Sequence, residues 1–130
     1  MEYLQNLKVV ITAAASGLGS EIATALSKNG SQVYICDNNE AALKNFSKKN
    51  PMINSAFADV SNETQMKKFF SKIKNQFCEI DVLINNAGVS GPSSKLEDID
   101  LKDWKNTLNI NLNGTFLSTK LAVPLLKNKG

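Results

Sequence analysis

The chain has 130 residues, 42% apolar and 21% charged, with a net charge of +3, the composition of one globular domain able to bury a core. All 15 basic residues are Lys, scattered among Asp and Glu rather than gathered into a stripe, which argues against nucleic-acid binding. No stretch reaches the roughly 18 apolar residues of a membrane span, Met1–Asn6 lacks the basic start of an export signal, and two distant cysteines without any His fit no usual metal or redox motif.

Lys8-Val9-Val10-Ile11-Thr12 is a β-branched run ending at a Gly-containing segment, Ala13 to Gly19, and reads as a buried parallel strand. From Ser20 to Asn29, Ile22, Ala23, Ala25 and Leu26 recur at helical spacing, with Gly30 as the stop. Val33–Asp37 is a second strand, and Asn39–Lys49 a helix with Ala42, Leu43 and Phe46 inward, closed by Asn50-Pro51. Ile53–Ala58 is a third strand. Ser61 or Asn62 then caps a helix whose Met66, Phe69, Phe70, Ile73 and Phe77 form a core-facing stripe. Asp81–Asn85 is a fourth strand, followed by a loop from Asn86 to Glu97. Asp100 to about Lys127 reads as one long helix carrying Trp104, Leu108, Leu112, Phe116 and Leu121, kinked or ended at Pro124. Strand and helix alternate four times without repeat or linker, the pattern of an α/β doubly wound parallel sheet. Cys36 and Cys78 are expected in or beside the core, unpaired, in a cytoplasmic protein.

The first strand-to-helix turn, Thr12-Ala13-Ala14-Ala15-Ser16-Gly17-Leu18-Gly19, lets backbone approach a pyrophosphate at a helix N-terminus, or else merely packs helix on strand. It has neither the Gly-Lys-Ser/Thr of a P-loop nor GxGxxG spacing. Asp37 closes the second strand, where a carboxylate accepts bonds from ribose hydroxyls and repels a 2′-phosphate; the alternative is a solvent-facing turn Asp. Asn38 and Asn39 follow it, with no cation for a 2′-phosphate. Asp59-Val60 follows the third strand, where Asp59 also suits the approach to the next helix. Asn85-Asn86-Ala87-Gly88 follows the fourth strand. Asn109, Asn111 and Asn113 fall within five residues of a helix that Asn disfavours, marking a functional kink or a compositional bias.

Taken in order, these segments resemble the TGxxxGxG, NNAG and N-x-N-x-x-G motifs of the short-chain dehydrogenase/reductase superfamily, with Ala13 where that family has its first Gly. The resemblance covers Lys8 to Gly130 and implies a Rossmann-type NAD-binding domain spanning 1–130. It implies a cofactor site of Thr12, Ala13, Ser16, Gly17, Leu18, Gly19, Asp37, Asn38, Asp59, Val60, Asn86, Ala87 and Gly88. Asn111 matches the Asn of the catalytic tetrad, whose main-chain carbonyl, freed by a helix distortion, holds a proton-relaying water. No metal is implied, and Asp37 favours NAD(H).

The implied reaction is hydride transfer between nicotinamide and a small-molecule alcohol or carbonyl, in the manner of a 3-oxoacyl reductase, by a homodimer or homotetramer. Val89-Ser90-Gly91-Pro92 would border the substrate. The family's catalytic Ser and Tyr-x-x-x-Lys lie beyond the fourth strand and long helix, so the chain is expected to stop short of them. By itself it would bind nucleotide poorly and leave the edge of the fourth strand bare. A non-catalytic NAD-binding or scaffolding fragment is the alternative. Ala13 is expected to be tolerated if its φ stays negative, while crowding the cofactor.

Overall fold

The computed structural model describes residues 2–126. Four strands, β1 (Lys8–Thr12), β2 (Gln32–Asp37), β3 (Asn54–Phe57) and β4 (Val82–Ile84), form one parallel sheet in the order β3-β2-β1-β4. The β-branched run at the start makes β1 the central strand, with Ile11 in register with Ile35 on one side and Ile84 on the other. Its side chains alternate. Val9 and Ile11 enter a core with α1 (Gly17–Lys28) and α2 (Glu40–Lys49), built on Ala23, Leu43 and Phe46. Val10 enters the opposite core with α3 (Glu63–Phe77) and α5 (Gly114–Leu126), built on Met66, Phe69, Phe70, Ile73 and Phe77. Both faces of β1 are covered, as a parallel strand requires. Tyr34 stands edge-on to Phe69 and Phe77, with centroids 5.5 and 6.0 Å away.

Local signals set the boundaries. Asn39 caps α2 by accepting the Ala42 N–H, and Asn62, rather than Ser61, caps α3 by accepting the Gln65 N–H, each at 3.0 Å. The helix α1 begins at Gly17, ahead of the expected Ser20, with the Ser20 N–H reaching the Ser16 carbonyl. Its first turn is built on glycines, which carry no apolar periodicity to read.

The region expected as one long helix is a composite of α4 (Leu101–Leu108), a π-helical turn (Asn109–Asn113) and α5. Asp100 caps α4 through the Lys102 N–H at 2.7 Å. Pro124 does not end the helix, which continues to Leu126; Lys127 lies outside the described residues. Leu101, Trp104, Leu108, Leu112 and Phe116 lie exposed along one side of this composite. No helix among the described residues is long and apolar enough to cross a membrane.

The cysteine expectation is half corrected. Cys36 is buried, and burial pushes its thiol up to about 12, against a backbone hydrogen bond from Ala13, so it stays neutral. Cys78 is exposed instead: it is the residue after α3, at φ +63, where the chain turns away from the helix.

Gly114, the first residue of α5, packs on Val60 in the turn after β3. A Cβ there would fall 2.8 Å from Val60 Cγ2 and 3.1 Å from its Cβ, on a stiff β-branched side chain. Gly114→Ala should therefore lower stability by about 1–3 kcal/mol in urea unfolding; an unchanged midpoint would show that this contact is slack.

Candidate functional site

The carboxyl ends of β1, β2, β3 and β4 bring the sequence motifs onto one edge of the sheet, where ligands of open parallel sheets bind. The first link is between the turn after β1 and the turn after β4. Thr12 is buried, and its hydroxyl accepts the backbone N–H groups of Asn86 (3.1 Å) and Ala87 (3.2 Å). In return, Asn86 Nδ2 donates to the carbonyls of Thr12 (3.1 Å) and Ala13 (2.8 Å). Gly19 seals this seam: a Cβ on it would lie 2.5 Å from Asn86 Nδ2 and 2.8 Å from the Ala14 Cα. Its lack of a side chain is needed for packing as well as for any ligand.

Ala13 lies in the left-handed region at φ +51, so the negative φ under which its methyl is expected to be tolerated is not what the backbone adopts. Its neighbours impose this conformation, because its carbonyl is held by Asn86 and the next N–H by the Cys36 carbonyl at 3.1 Å. Gly17, at φ +57, is the loop's second left-handed residue, and no atom lies within 4 Å of where its Cβ would stand. Ser16, Gly17 and Leu18 are exposed.

Asp37 is not a solvent-facing turn residue: it is 8% exposed. One carboxylate oxygen accepts the Ala15 N–H and the other the Asn39 N–H, each at 3.0 Å, so β2 holds the Gly-rich loop from below. Asp59 closes the next turn, one oxygen accepting both the Ser61 N–H (2.9 Å) and hydroxyl (2.7 Å). Its own N–H goes to Gln65 on α3 at 2.8 Å. Burial raises the Asp59 carboxyl, but hydrogen bonds from Ser61 and the Asn38 side chain together hold it below the usual carboxylate range.

A cavity of about 120 Å³ opens between these turns, lined by Ala13, Asp37, Asn38, Ala58, Asp59, Val60, Ala87, Gly88, Val89 and Ile110. Thr12, Gly19 and Asn86 lie behind its wall as bracing, and Ser16, Gly17 and Leu18 do not line it. Ala58 and Ile110 escaped sequence reasoning, since an apolar residue carries no chemical signal. Ile110 arrives there on the π turn.

Asn111 stands one residue further along that turn. Its side chain bridges the backbone of Val89, accepting its N–H and donating to its carbonyl, both at 2.8 Å. It thereby fixes the loop after β4 against the helix. Its main-chain carbonyl accepts the Thr115 hydroxyl at 2.9 Å.

A larger groove, about 590 Å³, runs between α1 and α2, but among the expected site residues only Ser16 touches it. Its Ser20 and Thr24 hydroxyls are engaged by Gly17 and Asn50. Most of the expected cofactor-site residues instead line the smaller cavity.

Residues 7–130 match the short chain dehydrogenase family. The chain belongs to that family. It is 37% identical over 123 residues to the short chain dehydrogenase/reductase dpfgG of Gibberella zeae, covering 92% of this chain and 46% of that protein. With the L-fucose dehydrogenase of Bos taurus the identity is 32%, covering 94% and 46%. The crystal structure of gox2181 superposes with a TM-score of 0.92 at 27% identity, covering 99% of this chain and 52% of the other. The short-chain dehydrogenase chain thus spans about half the length of the relatives it matches, and its Rossmann-type sheet is the family's fold.

Two measurements test the wiring. Thr12→Val keeps the shape but strands two N–H groups, and should cost about 2–4 kcal/mol in chemical unfolding; a cost below about 0.5 kcal/mol would contradict it. Asp59, held low in the folded state, contributes stability that is present above its ordinary pKa of about 3.9 and is lost as pH falls through the lower folded value. Ser61→Ala should raise the Asp59 carboxyl in an NMR pH titration and flatten that acid loss. An unmoved titration would mean that Ser61 does not hold it.

Proposed function

We propose that this short-chain dehydrogenase chain supplies the cofactor-holding part of an NAD(H)-dependent oxidoreductase acting on a small-molecule alcohol/carbonyl pair, in the manner of 3-oxoacyl reductases. The observation that carries the reading is the convergence of two carboxylates, Asp37 and Asp59, with Ala13 and Gly88 on one small cavity at the strand ends. The chemistry of these donors and acceptors fits a dinucleotide. Asp37 has lone pairs left after its two backbone bonds, suited to ribose hydroxyls and hostile to a 2′-phosphate. Asp59 and the N–H of Val60 suit the amine and ring nitrogen of an adenine. The loop from Ser16 to Gly19 leaves backbone open at Gly17 for phosphate at the start of α1.

Ala87, Gly88 and the Asn111-braced Val89 would border the nicotinamide end. Bound there, the nicotinamide would accept or donate the hydride. Asn111 acts in this reading as a positioning residue through Val89, with its main-chain carbonyl available for a proton-relaying water beside the Thr115 hydroxyl. The exposed apolar side of α4 and α5 supports assembly as a homodimer or homotetramer.

Calorimetric titration decides the cofactor. NADH should bind more tightly than NADPH, and Asp37→Asn should shrink that preference roughly tenfold, a change of about 1.4 kcal/mol. Tighter binding of NADPH by the unmodified chain would sink the assignment.

A further inference from the structure

We infer that Asn29-Gly30, at the end of α1, is a self-modification site whose asparagine converts to isoaspartate in the folded chain, whereas the second Asn-Gly pair, Asn113-Gly114, is protected. Glycine after asparagine leaves the next backbone nitrogen unshielded by a side chain, so that nitrogen can reach the asparagine's own Cγ. The Gly30 nitrogen gives up its proton and bonds to Asn29 Cγ, expelling Nδ2 together with that proton as ammonia and closing a succinimide ring. Water then opens the ring. Attack at the Asn29 main-chain carbonyl carbon leaves the peptide running through Cγ beside a free α-carboxylate. Ammonia leaves, water enters, and nothing is oxidised or reduced.

The two pairs differ in what must open first. Asn29 is the C-cap of α1 and half-buried, and Gly30 beyond it is exposed at φ +91. Two bonds within the last turn restrain the reacting groups: the Gly30 N–H donates to the Ser27 carbonyl at 3.1 Å, and Asn29 Nδ2 to the Ala25 carbonyl at 2.9 Å. Both belong to a helix end, where local opening costs least. The Asn6 N–H holds the Gly30 carbonyl at 2.9 Å, beyond the peptide group that must turn. The pair borders a surface recess of about 430 Å³ shared with Gln5, Asn6 and Lys28, which admits the water of the second step. Asn113-Gly114 has no such freedom. The Gly114 N–H donates to the Asn109 carbonyl within the π turn, the helix continues to Leu126, and Gly114 is buried against Val60. Freeing its nitrogen means unwinding the junction of α4 and α5.

Conversion at Asn29 adds a carbon to the backbone and places a carboxylate at the negative end of the α1 dipole. It also removes the Nδ2 bond to Ala25 and loosens the turn into Gln32, which pairs with Lys8.

The experiment ages the chain at mildly alkaline pH, folded and in urea, and digests it in mild acid with a Glu-specific protease. Mass spectrometry with fragmentation then follows both pairs, and Tm is recorded alongside. In the folded chain Asn29 should convert at least about tenfold faster than Asn113, a ratio set by the difference in local opening. In urea the two rates should converge, and the aged folded chain should lose a few degrees of Tm. Asn29→Gln, whose longer side chain closes the ring far more slowly, should age without that loss. Equal rates in the folded chain, or conversion in urea alone, would overturn the inference. So would an Asn113 rate that stays low in urea, or the same fall in Tm in Asn29→Gln.

Discussion

The site depends on the reciprocal clasp between Thr12 and Asn86. One hydroxyl accepts two backbone N–H groups from the turn after β4, and one side-chain amide returns two hydrogen bonds to the turn after β1. Parallel strands end in loops with unpaired backbone groups, and buried groups of that kind must find partners. Here they find each other across β1 and β4, so the two loops form one rigid rim. Gly19 must be small because it presses on this clasp, and Ala13 must be left-handed because its carbonyl belongs to it. Asp37 then ties the rim to β2, and the Asn38–Asp59 contact carries it on to the turn after β3.

Much of this was legible in the sequence. β-branched runs mark β1, β2 and β4, β3 is expected from Ile53–Ala58 although Asn54–Phe57 holds no β-branched residue, and period-3.6 stripes mark α2 and α3 to within a residue or two. The motifs lie at the strand ends in sequence, and the structure brings the turns after β1 and β4 together. The α1 helix starts three residues ahead of the expected Ser20, because glycines have no side chains to show a period. Asn111 is expected from the sequence to act through its main-chain carbonyl, whereas the structure also gives its side chain a bridging part. Its side-chain bonds to Val89, 22 residues away, depend on how the loop after β4 falls, which no spacing encodes. Ala13 illustrates the same limit: the sequence announced the methyl, and only tertiary bonds determine that φ is positive.

The long composite helix teaches a further lesson about periodicity. Leu101, Trp104, Leu108, Leu112 and Phe116 recur at spacings that a core face would show, yet they are exposed, Leu112 to 64% and Phe116 to 65%. Three of the four buried positions of α5 are instead small, Gly114, Ser118 and Ala122, with Leu125 the large one. Hydrophobic spacing reports that a face is apolar, not what covers it. The π turn rotates α5 against α4, placing Ile110 in the cavity wall and Gly114 on Val60.

A nucleotide held in the small cavity at the strand ends, rather than in the larger groove between α1 and α2, would perturb the turns that line that cavity. Amide chemical shifts of isotopically labelled protein, followed during titration with NADH, address it directly. Shifts should concentrate at Ala13, Gly17, Asn38, Asp59, Val60 and Gly88. Shifts confined to Thr24, Asn45 and Lys49 in the groove, or no shifts at saturating NADH, would contradict it.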